Sequence, residues 1–487
     1  MRKNVIFMAL YQLLILIVPF ITLPYVSRIL GPQGIGIAAY SDAVVGYFML
    51  ISQLGIHLYG KREIAKVNQD TSKRSSAFIE IFYIQLFMSI ISIIFYLAFV
   101  LFFFDNYKRI LLIQSIMLFS SLLDISWLYF GMEKFKITIL RNMIVKLISI
   151  IFIFMFINSS DDLSIYIFVI AISTFISQII MWFNIKKYIT FNKINFRGIL
   201  KRFYPILKLF IPVLAIQLYV IVDKTMLGIF SNVQEVGLFE NANKITRVPI
   251  LVITSLGIVM LPRMTNLIAT GKDRIAADYI EKSLLYTMFI AFAFAFGMFG
   301  VSNTFVPLFL GEAFSDSIIL VKILTPILIF ISWGNVFRTQ YILPNGLDNL
   351  YTKSVIYAAG LNILLNFVLI KYYGAIGAAL ASIISESLIC IYQSVKIKSK
   401  FRMGYYLKNC IKYFVSGLIM MVIVMFIGKI YPVKVSTVIF QILVGAVFYF
   451  LLSIILEKLF KQELIINEIK KIVFKLTRMI KLKIQSR

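Results

Sequence analysis

Apolar segments of about 20 residues recur along the whole chain, and they restrict its fold more than any other feature. A segment of this length crosses a hydrocarbon core roughly 30 Å thick. Within lipid every backbone amide needs a partner in the protein, so only helices and closed barrels span. Hydrophobic residues form 60% of the 487 and charged residues 15%, which a water-soluble protein could not carry without aggregating. The sequence predicts an all-α polytopic membrane protein.

We expect about fourteen transmembrane helices along this chain. No segment between them is polar enough to form a separate soluble domain. The predicted spans are 5–27, 34–58, 77–103, 110–131, 142–158, 163–184, 204–230, 238–261, 281–306, 318–342, 354–371, 374–396, 410–430 and 435–456.

The distribution of positive charge predicts the orientation. If residue 1 is cytoplasmic, the inner loops and termini hold 35 Lys and Arg and the outer loops hold six. By the positive-inside rule, both termini are therefore expected in the cytoplasm. The same bias explains most of the net charge of +27, so the basic composition does not indicate a nucleic-acid partner.

The chain repeats its own pattern after about 201 residues. Leu30-Gly-Pro-Gln-Gly-Ile-Gly36 is followed by Gln53-Leu-Gly-Ile56, and Glu235-Val-Gly237 is followed by Ser255-Leu-Gly-Ile258 at nearly the same spacing. Two related halves in a membrane are typical of alternating-access transporters, whose substrate site lies between the halves.

The repeat also predicts the domain organisation. We expect an N-terminal six-helix bundle at 1–200, a second at 201–400, two additional transmembrane helices at 401–456 and a cytoplasmic tail at 457–487. In the tail, apolar residues recur every three or four positions between lysines and arginines. This pattern predicts a basic amphipathic helix on the inner leaflet. The alternative is an ordinary basic tail with loose helicity.

Ionisable residues inside a span are costly and must face protein or water. Glu240, Lys244 and Arg247 are spaced i, i+4 and i+7, so they share one helical face, with Asn241 beside it. A polar cavity along this face is expected. In the preceding span Asp223 and Lys224 are adjacent, about 100° apart, so only one of them faces any given cavity.

The basic residues within or beside spans favour an anionic ligand, since guanidinium groups pair with phosphate oxygens. The predicted substrate-binding residues are Arg28, Lys224, Lys244, Arg247 and Arg338. Two alternatives remain open. Glu240 and Lys244 could form a neutralising intrahelical pair, and Arg28 could extend to the outer interface.

A second set comprises polar residues expected to line the cavity or to bind a coupling ion. It consists of Asp42, His57, Asp124, Asp223, Glu240, Asn241 and Glu386. The coupling ion, H⁺ or Na⁺, is left open, and no other cofactor is expected. A single histidine and two cysteines at Cys390 and Cys410 indicate no metal site and no disulfide. No P-loop motif for ATP hydrolysis is present.

Several segments resemble polysaccharide-transporter flippases of the Wzx type, in the multidrug/oligosaccharidyl-lipid/polysaccharide exporter superfamily. They are Leu23-Pro-Tyr-Val-Ser-Arg-Ile-Leu-Gly-Pro-Gln-Gly-Ile-Gly36, Leu58-Tyr-Gly-Lys-Arg-Glu-Ile-Ala65, Asp223-Lys-Thr-Met-Leu-Gly228, Val236-Gly-Leu-Phe-Glu-Asn-Ala-Asn-Lys-Ile245 and Leu256-Gly-Ile-Val-Met-Leu-Pro-Arg263. The resemblance covers essentially the whole chain. Within the family, the Lys- and Ile-rich composition and the opening segment resemble Gram-positive capsule and teichoic-acid flippases most.

The resemblance implies two six-helix bundles in a V, two further helices, and no enzymatic activity. It implies movement of an undecaprenyl-pyrophosphate-linked glycan from the inner to the outer leaflet of the bacterial cytoplasmic membrane. Membrane lipids and glycan polymerase or transferase machinery are the implied partners. The family's cavity-lining spans correspond here to those that carry Arg28, Asp42, Asp223, Lys224, Glu240, Lys244 and Arg247.

Two other functions are weighed against this one. A drug or cation exporter on the same fold would favour an acidic, aromatic cavity. A membrane glycan polymerase or ligase would need a long outer loop to hold its acceptor and catalytic groups, and the predicted outer loops are very short.

Overall fold

The structure is a computed structural model that describes residues 2–190 and 196–460. Within these ranges it is helical and contains no β-strand. Eleven helices are long and apolar enough to cross a membrane, and the bent pair Phe196–Ala215 and Val220–Phe230 makes twelve if it forms one span. The all-α polytopic fold is thus confirmed. The predicted tail helix lies outside the described residues beyond 460.

Fifteen helices are described. They are α1 (Arg2–Gln53), α2 (Ile56–Lys66), α3 (Thr71–Phe103), α4 (Lys108–Leu123), α5 (Ser126–Gly131), α6 (Phe135–Phe156), α7 (Leu163–Trp182), α8 (Phe196–Phe230), α9 (Val233–Ala269), α10 (Asp273–Leu310), α11 (Ser317–Leu324), α12 (Ile327–Phe337), α13 (Asp348–Ile397), α14 (Met403–Ile430) and α15 (Val435–Leu459). A π-helical turn, Arg338–Ile342, follows α12.

Two of the longest helices are each divided by a glycine. Gly31 in α1 has φ 64° and Gly374 in α13 has φ 52°, a region that glycine enters at little cost. Gly31 lies between the predicted spans 5–27 and 34–58, and Gly374 is the first residue of the predicted span 374–396, so each kink lies at a boundary between predicted spans. At the second kink the Ala375 amide donates to Glu235 Oε2 at 2.6 Å, and a Cβ on Gly374 would lie 1.9 Å from that oxygen. The carboxylate thus satisfies an amide that the kink frees.

The chain forms two compact units, whose boundaries fall within α9 and α13. The first comprises residues up to 241 together with 359–381, and the second comprises 242–358 and the residues from 382 onward. Phe78 and Trp127 are fully buried in the first unit, and Phe337 and Tyr413 in the second. The predicted bundles at 1–200 and 201–400 follow the repeat rather than packing, and they remain a prediction.

The two copies of the repeat touch inside the first unit, at corresponding positions. A Cβ on Gly36 would lie 1.6 Å from the carbonyl oxygen of Val233, and one on Gly237 would lie 1.9 Å from that of Pro32. Gly36 and Pro32 correspond to Gly237 and Val233 at the repeat offset. The contact is therefore reciprocal, and the small residues let the two helix backbones approach closely.

A second reciprocal contact joins α1 to α9 and to α8. Asn241 Nδ2 donates to Ser27 Oγ at 2.8 Å, while Gly228 packs against the ring of Tyr40. Ser27 and Gly228 are equivalent positions of the repeat, as are Tyr40 and Asn241. The backbone arrangement is thus shared by the two copies, although the side chains that fill it differ.

Candidate substrate and ion-coupling sites

Lys224 on α8 forms an ion pair with Glu240 on α9. The Lys224 Nζ lies 2.9 Å from Glu240 Oε2, and the two side chains are 14% and 9% exposed. Charges buried to this extent lose most of their hydration, and the pair compensates part of that loss. Lys224 was predicted to bind substrate. In this structure its charge is balanced by Glu240 from the neighbouring helix.

Asp223, next to Lys224, has a different partner. The Asn366 Nδ2 donates to Asp223 Oδ1 at 2.6 Å and also to Asn362 Oδ1 at 3.1 Å. Both asparagines are fully buried on α13. Sequence reasoning missed them, although two asparagines spaced i, i+4 in an apolar span were a visible signal. Asp223 and Lys224 thus face different neighbours, as their spacing predicted.

Lys244 and Arg247 are both exposed on α9. The Arg247 Nε donates to Asn243 Oδ1 at 2.8 Å, one turn earlier on the same helix. That contact holds the guanidinium along the helix surface. Within the part of the chain that the structure describes, no hydrogen bond from its Nη groups is recorded, so these donors remain available to a ligand.

Asn241 is fully buried, and its amide bonds Ser27. Its contact therefore joins α9 to α1. Arg28 and Asp42, also on α1, are exposed. Arg28 lies three residues before the Gly31 kink.

His57 and Asp124 meet in the first unit, 67 residues apart in sequence. The His57 Nε2 lies 3.0 Å from Asp124 Oδ2. The Ser126 amide donates to Asp124 Oδ1 at 2.9 Å, and Ser126 Oγ lies 3.2 Å from His57 Nε2. The structure therefore brings two of the predicted coupling residues into one hydrogen-bonded group.

Arg338 lies in the second unit, at the first position of the π-helical turn. Its Nη2 donates to Asn335 Oδ1 at 2.7 Å, and its guanidinium lies 5.5 Å from the centre of the Tyr351 ring. π-Helical turns occur frequently at functional sites because they reorient one side chain within a helix. Glu386 is half-buried on α13 in the same unit.

Arg202, near the start of α8, was treated from sequence only as an inner-loop charge. It forms ion pairs with Glu80 of α3, at 2.5 Å, and with Glu63 of α2, at 3.1 Å. These pairs link the first residues of the second repeat to the first repeat. No short motif signals them, because each of the three residues comes from a different helix.

The predicted residues are divided between the two units. The first holds Arg28, Asp42, His57, Asp124, Asp223, Lys224, Glu240 and Asn241, and the second holds Lys244, Arg247, Arg338 and Glu386. Across 2–190 and 196–460, no group of three His, Cys, Asp or Glu side chains is placed to hold a metal ion.

A family model described as "Polysaccharide biosynthesis protein" matches residues 1–268. Among curated relatives, a "Putative O-antigen transporter" of Escherichia coli (strain K12) is 26% identical over 80% of this chain and 94% of its own length. The corresponding protein of Shigella dysenteriae is 24% identical over 82% of this chain and its full length. The "Capsular polysaccharide biosynthesis protein CapF" of Staphylococcus aureus is 24% identical over 81% and 99%.

Solved structures share the fold. The lipid II flippase MurJ in its inward closed conformation superposes with a TM-score of 0.67 at 19% identity, covering 91% of this chain and 99% of its own. An inward-facing multidrug resistance MATE family transporter gives 0.60 at 16% identity, covering 81% and 99%. At these identities the match shows the polytopic fold alone.

The family model covers more than half of the chain, and the curated relatives align along most of their length. The protein therefore belongs to the polysaccharide biosynthesis protein family, as its resemblance to Wzx-type polysaccharide transporters predicted.

Proposed function

We propose that this multi-pass membrane protein is a flippase for a lipid-linked glycan. The substrate is a glycan on undecaprenyl pyrophosphate, a capsule, teichoic-acid or O-antigen type of unit. The protein moves it from the inner to the outer leaflet of the bacterial cytoplasmic membrane by alternating access, with both termini in the cytoplasm. The names of the O-antigen transporter relatives and the fold shared with a lipid flippase support this proposal.

The observation that carries the proposal is the cationic surface of α9. Lys244 and Arg247 are exposed in the middle of the predicted span 238–261. A charged side chain at this depth is costly in lipid and is found where a helix lines a water-filled or protein-lined cavity. A pyrophosphate fits such a surface, because the two Nη groups of one guanidinium can donate to two of its oxygens.

The direct test replaces Arg247 by Ala in purified protein reconstituted into liposomes. Transfer of an undecaprenyl-pyrophosphate-linked glycan is followed by its accessibility to an added glycosidase. We expect the rate to fall about 10- to 100-fold, the value of one or two charge-assisted hydrogen bonds. Unchanged transfer would remove Arg247 from the mechanism.

Arg263→Ala is the matched control. Arg263 is an arginine on the same helix, also exposed, and it lies against Tyr279 near the predicted cytoplasmic end. Because it is far along α9 from Arg247, its loss should leave transfer within about twofold, in line with a surface substitution. Equal loss in both variants would indicate a general effect of positive charge rather than a binding residue.

A drug or cation exporter is the alternative that the MATE neighbours keep open, since they share the fold. An organic cation is repelled by the α9 surface that attracts a pyrophosphate. Transport of a quaternary ammonium dye by the same liposomes, with no transfer of lipid-linked glycan, would replace our proposal with this one.

A glycan polymerase or ligase is less favoured. The described connections on the predicted outer side are short, for example 104–107 and 431–434, and none holds a separate domain. We propose transport without catalysis.

The energy for transport would come from a coupling ion, H⁺ or Na⁺, from the membrane potential or from consumption of the product outside the cell. Membrane lipids and glycan polymerase or transferase machinery are the proposed partners.

A further inference from the structure

Two helices of the first unit break beside the protein's single histidine. Helix α1 is followed by α2 at Leu54, which has φ 44°, and α4 is followed by α5 at Asp124, which has ψ 97°. The short helices α2 and α5 pack directly on each other: a Cβ on Gly60 of α2 would lie 2.6 Å from the Trp127 ring of α5. The two short helices thus form one packed pair, joined through two breaks to α1 and α4.

The break after α4 is held by side chains from two other helices. Gln85 Nε2 donates to the carbonyls of Ser121 and Asp124, at 2.9 Å in each case. Trp182 Nε1 donates to the carbonyl of Leu123 at 2.9 Å. These donors satisfy carbonyls that a continuous helix would bond internally. The break is therefore a built part of the fold, and it fixes the position of Asp124.

The side chains of His57 and Asp124 connect the two breaks. His57 is the second residue of α2, and its Nε2 contacts the Asp124 carboxylate at 3.0 Å. The imidazole is 45% exposed and the carboxylate 12%. The imidazole is thus the more accessible partner, and the more buried carboxylate depends on the ring for its counter-charge.

Other charged groups lie on the helices that surround this pair. Glu63 of α2 and Glu80 of α3 bind Arg202 of α8, and Lys61 lies one turn along α2 from His57. The only ionisable group of α5 is the Tyr129 hydroxyl, which donates to the carbonyl of Met181. Among the described residues, the carboxylate that contacts the His57 ring is that of Asp124.

We propose that His57 and Asp124 form a proton-binding site and that the proton is the coupling ion of transport. This inference rests on the proposed flippase function. With the proton bound, imidazolium and carboxylate form a neutral pair that ties the two breaks together. Release of that one proton to water leaves a neutral imidazole and an unbalanced carboxylate. The pair then weakens, and α2 and α5 can turn together at the breaks.

The first test uses intrinsic fluorescence of the purified full-length chain in a Trp333→Phe background. The remaining tryptophans, Trp127 and Trp182, both lie at the break. We expect a titration between about pH 5 and 8, the range in which histidine changes charge. It should disappear in His57→Gln. In Asp124→Asn its midpoint should fall by about one pH unit or more, because the imidazolium loses its counter-charge.

Asp161→Asn is the control, since Asp161 is an exposed carboxylate in the 157–162 connection. It should leave the titration unchanged. Exchanging the partners, His57→Asp with Asp124→His, should restore the titration that His57→Asp alone removes. A titration that persists unaltered in His57→Gln would overturn the assignment, whether or not the protein transports glycan.

The second test separates this inference from the proposed function. In liposomes that carry lipid-linked glycan, an imposed pH gradient should change the transfer rate of the wild-type protein about fivefold or more, a typical coupling between sites. The rate of His57→Gln should not respond. A wild-type protein that titrates but moves no glycan would refute the flippase function and leave the proton site standing. Equal gradient responses in both proteins would refute the coupling alone.

Discussion

The two copies of the repeat have the same backbone contacts but opposite chemistry on one helical face. In the second copy this face carries Glu240, Lys244 and Arg247, and the equivalent first-copy positions are Ala39, Ala43 and Gly46. The alanines are buried, and Gly46 approaches the side chain of Ile221 on α8. The same position of the repeat therefore packs tightly in one copy and presents charge in the other.

The ion pair shows the same difference between a charged second copy and an apolar first copy. Lys224 and Glu240 connect the two helices of the second copy, where the first copy has Leu23 and Ala39. Apolar side chains at these positions are compatible with the shared backbone arrangement, so the charges are not required to form it. The difference indicates that small residues set the scaffold, and a role of the charges in transport is part of our proposal.

The largest loss of stability is expected at the two glycines through which the copies contact each other. Gly36→Ala and Gly237→Ala each place a Cβ within 2 Å of a backbone oxygen of the other copy, and neither backbone can move without its helix. We expect each to lower the free energy of unfolding by about 4 kcal/mol or more. Thermal unfolding in detergent measures this. A large loss for one glycine and none for the other would show that the contact is not reciprocal.

The second-largest loss of stability is expected from breaking the Lys224–Glu240 ion pair of the second copy. Glu240→Ala leaves Lys224 largely buried without its carboxylate, which should cost about 3 kcal/mol. Leu23→Ala in the first copy removes only apolar contact at a half-buried site, and we expect about 1 kcal/mol. The two melting temperatures, compared under one detergent, test this ranking. Equal losses would mean that the pair contributes no more than packing.

The sequence alone predicted the features that depend on local pattern. The apolar segments placed the spans, and the offset of about 201 residues related Gly36 to Gly237 before any contact was known. Residue spacing also separated Asp223 from Lys224 correctly. These succeed because helical periodicity and span length are properties of consecutive residues.

Partners in other helices could not be predicted in this way. The sequence offered Lys244 as an intrahelical partner of Glu240, but the structure adds Lys224 from α8. His57 contacts Asp124, which is 67 residues away in sequence. Neither residue lies in a sequence motif that predicts this contact. Such pairs depend on how helices pack, which a single sequence does not encode locally.

A smaller loss of stability is expected from leucine substitutions at equivalent positions of the two copies, on the helical face that is apolar in the first copy and charged in the second. Ala43→Leu overfills a buried site in the first copy and should cost about 2 kcal/mol. Lys244→Leu changes the equivalent exposed position of the second copy and should stay within about 0.5 kcal/mol. If the leucine were equally harmful at both positions, the second-copy face would be packed rather than open. Thermal unfolding of the two variants decides between these outcomes.

Little change in stability is also expected when the charge pair of the second copy is given the residues of the first. Lys224→Leu with Glu240→Ala removes both charges together, so no unpaired charge stays buried, and replacing a buried pair by apolar residues is often neutral. We expect unfolding within about 1 kcal/mol of the wild type, well short of the loss in Glu240→Ala alone. If the charges serve transport, glycan transfer in liposomes should nevertheless fall strongly. A double variant that is both stable and fully active would show that the pair serves neither role, and the contrast between the copies would then reduce to Lys244 and Arg247.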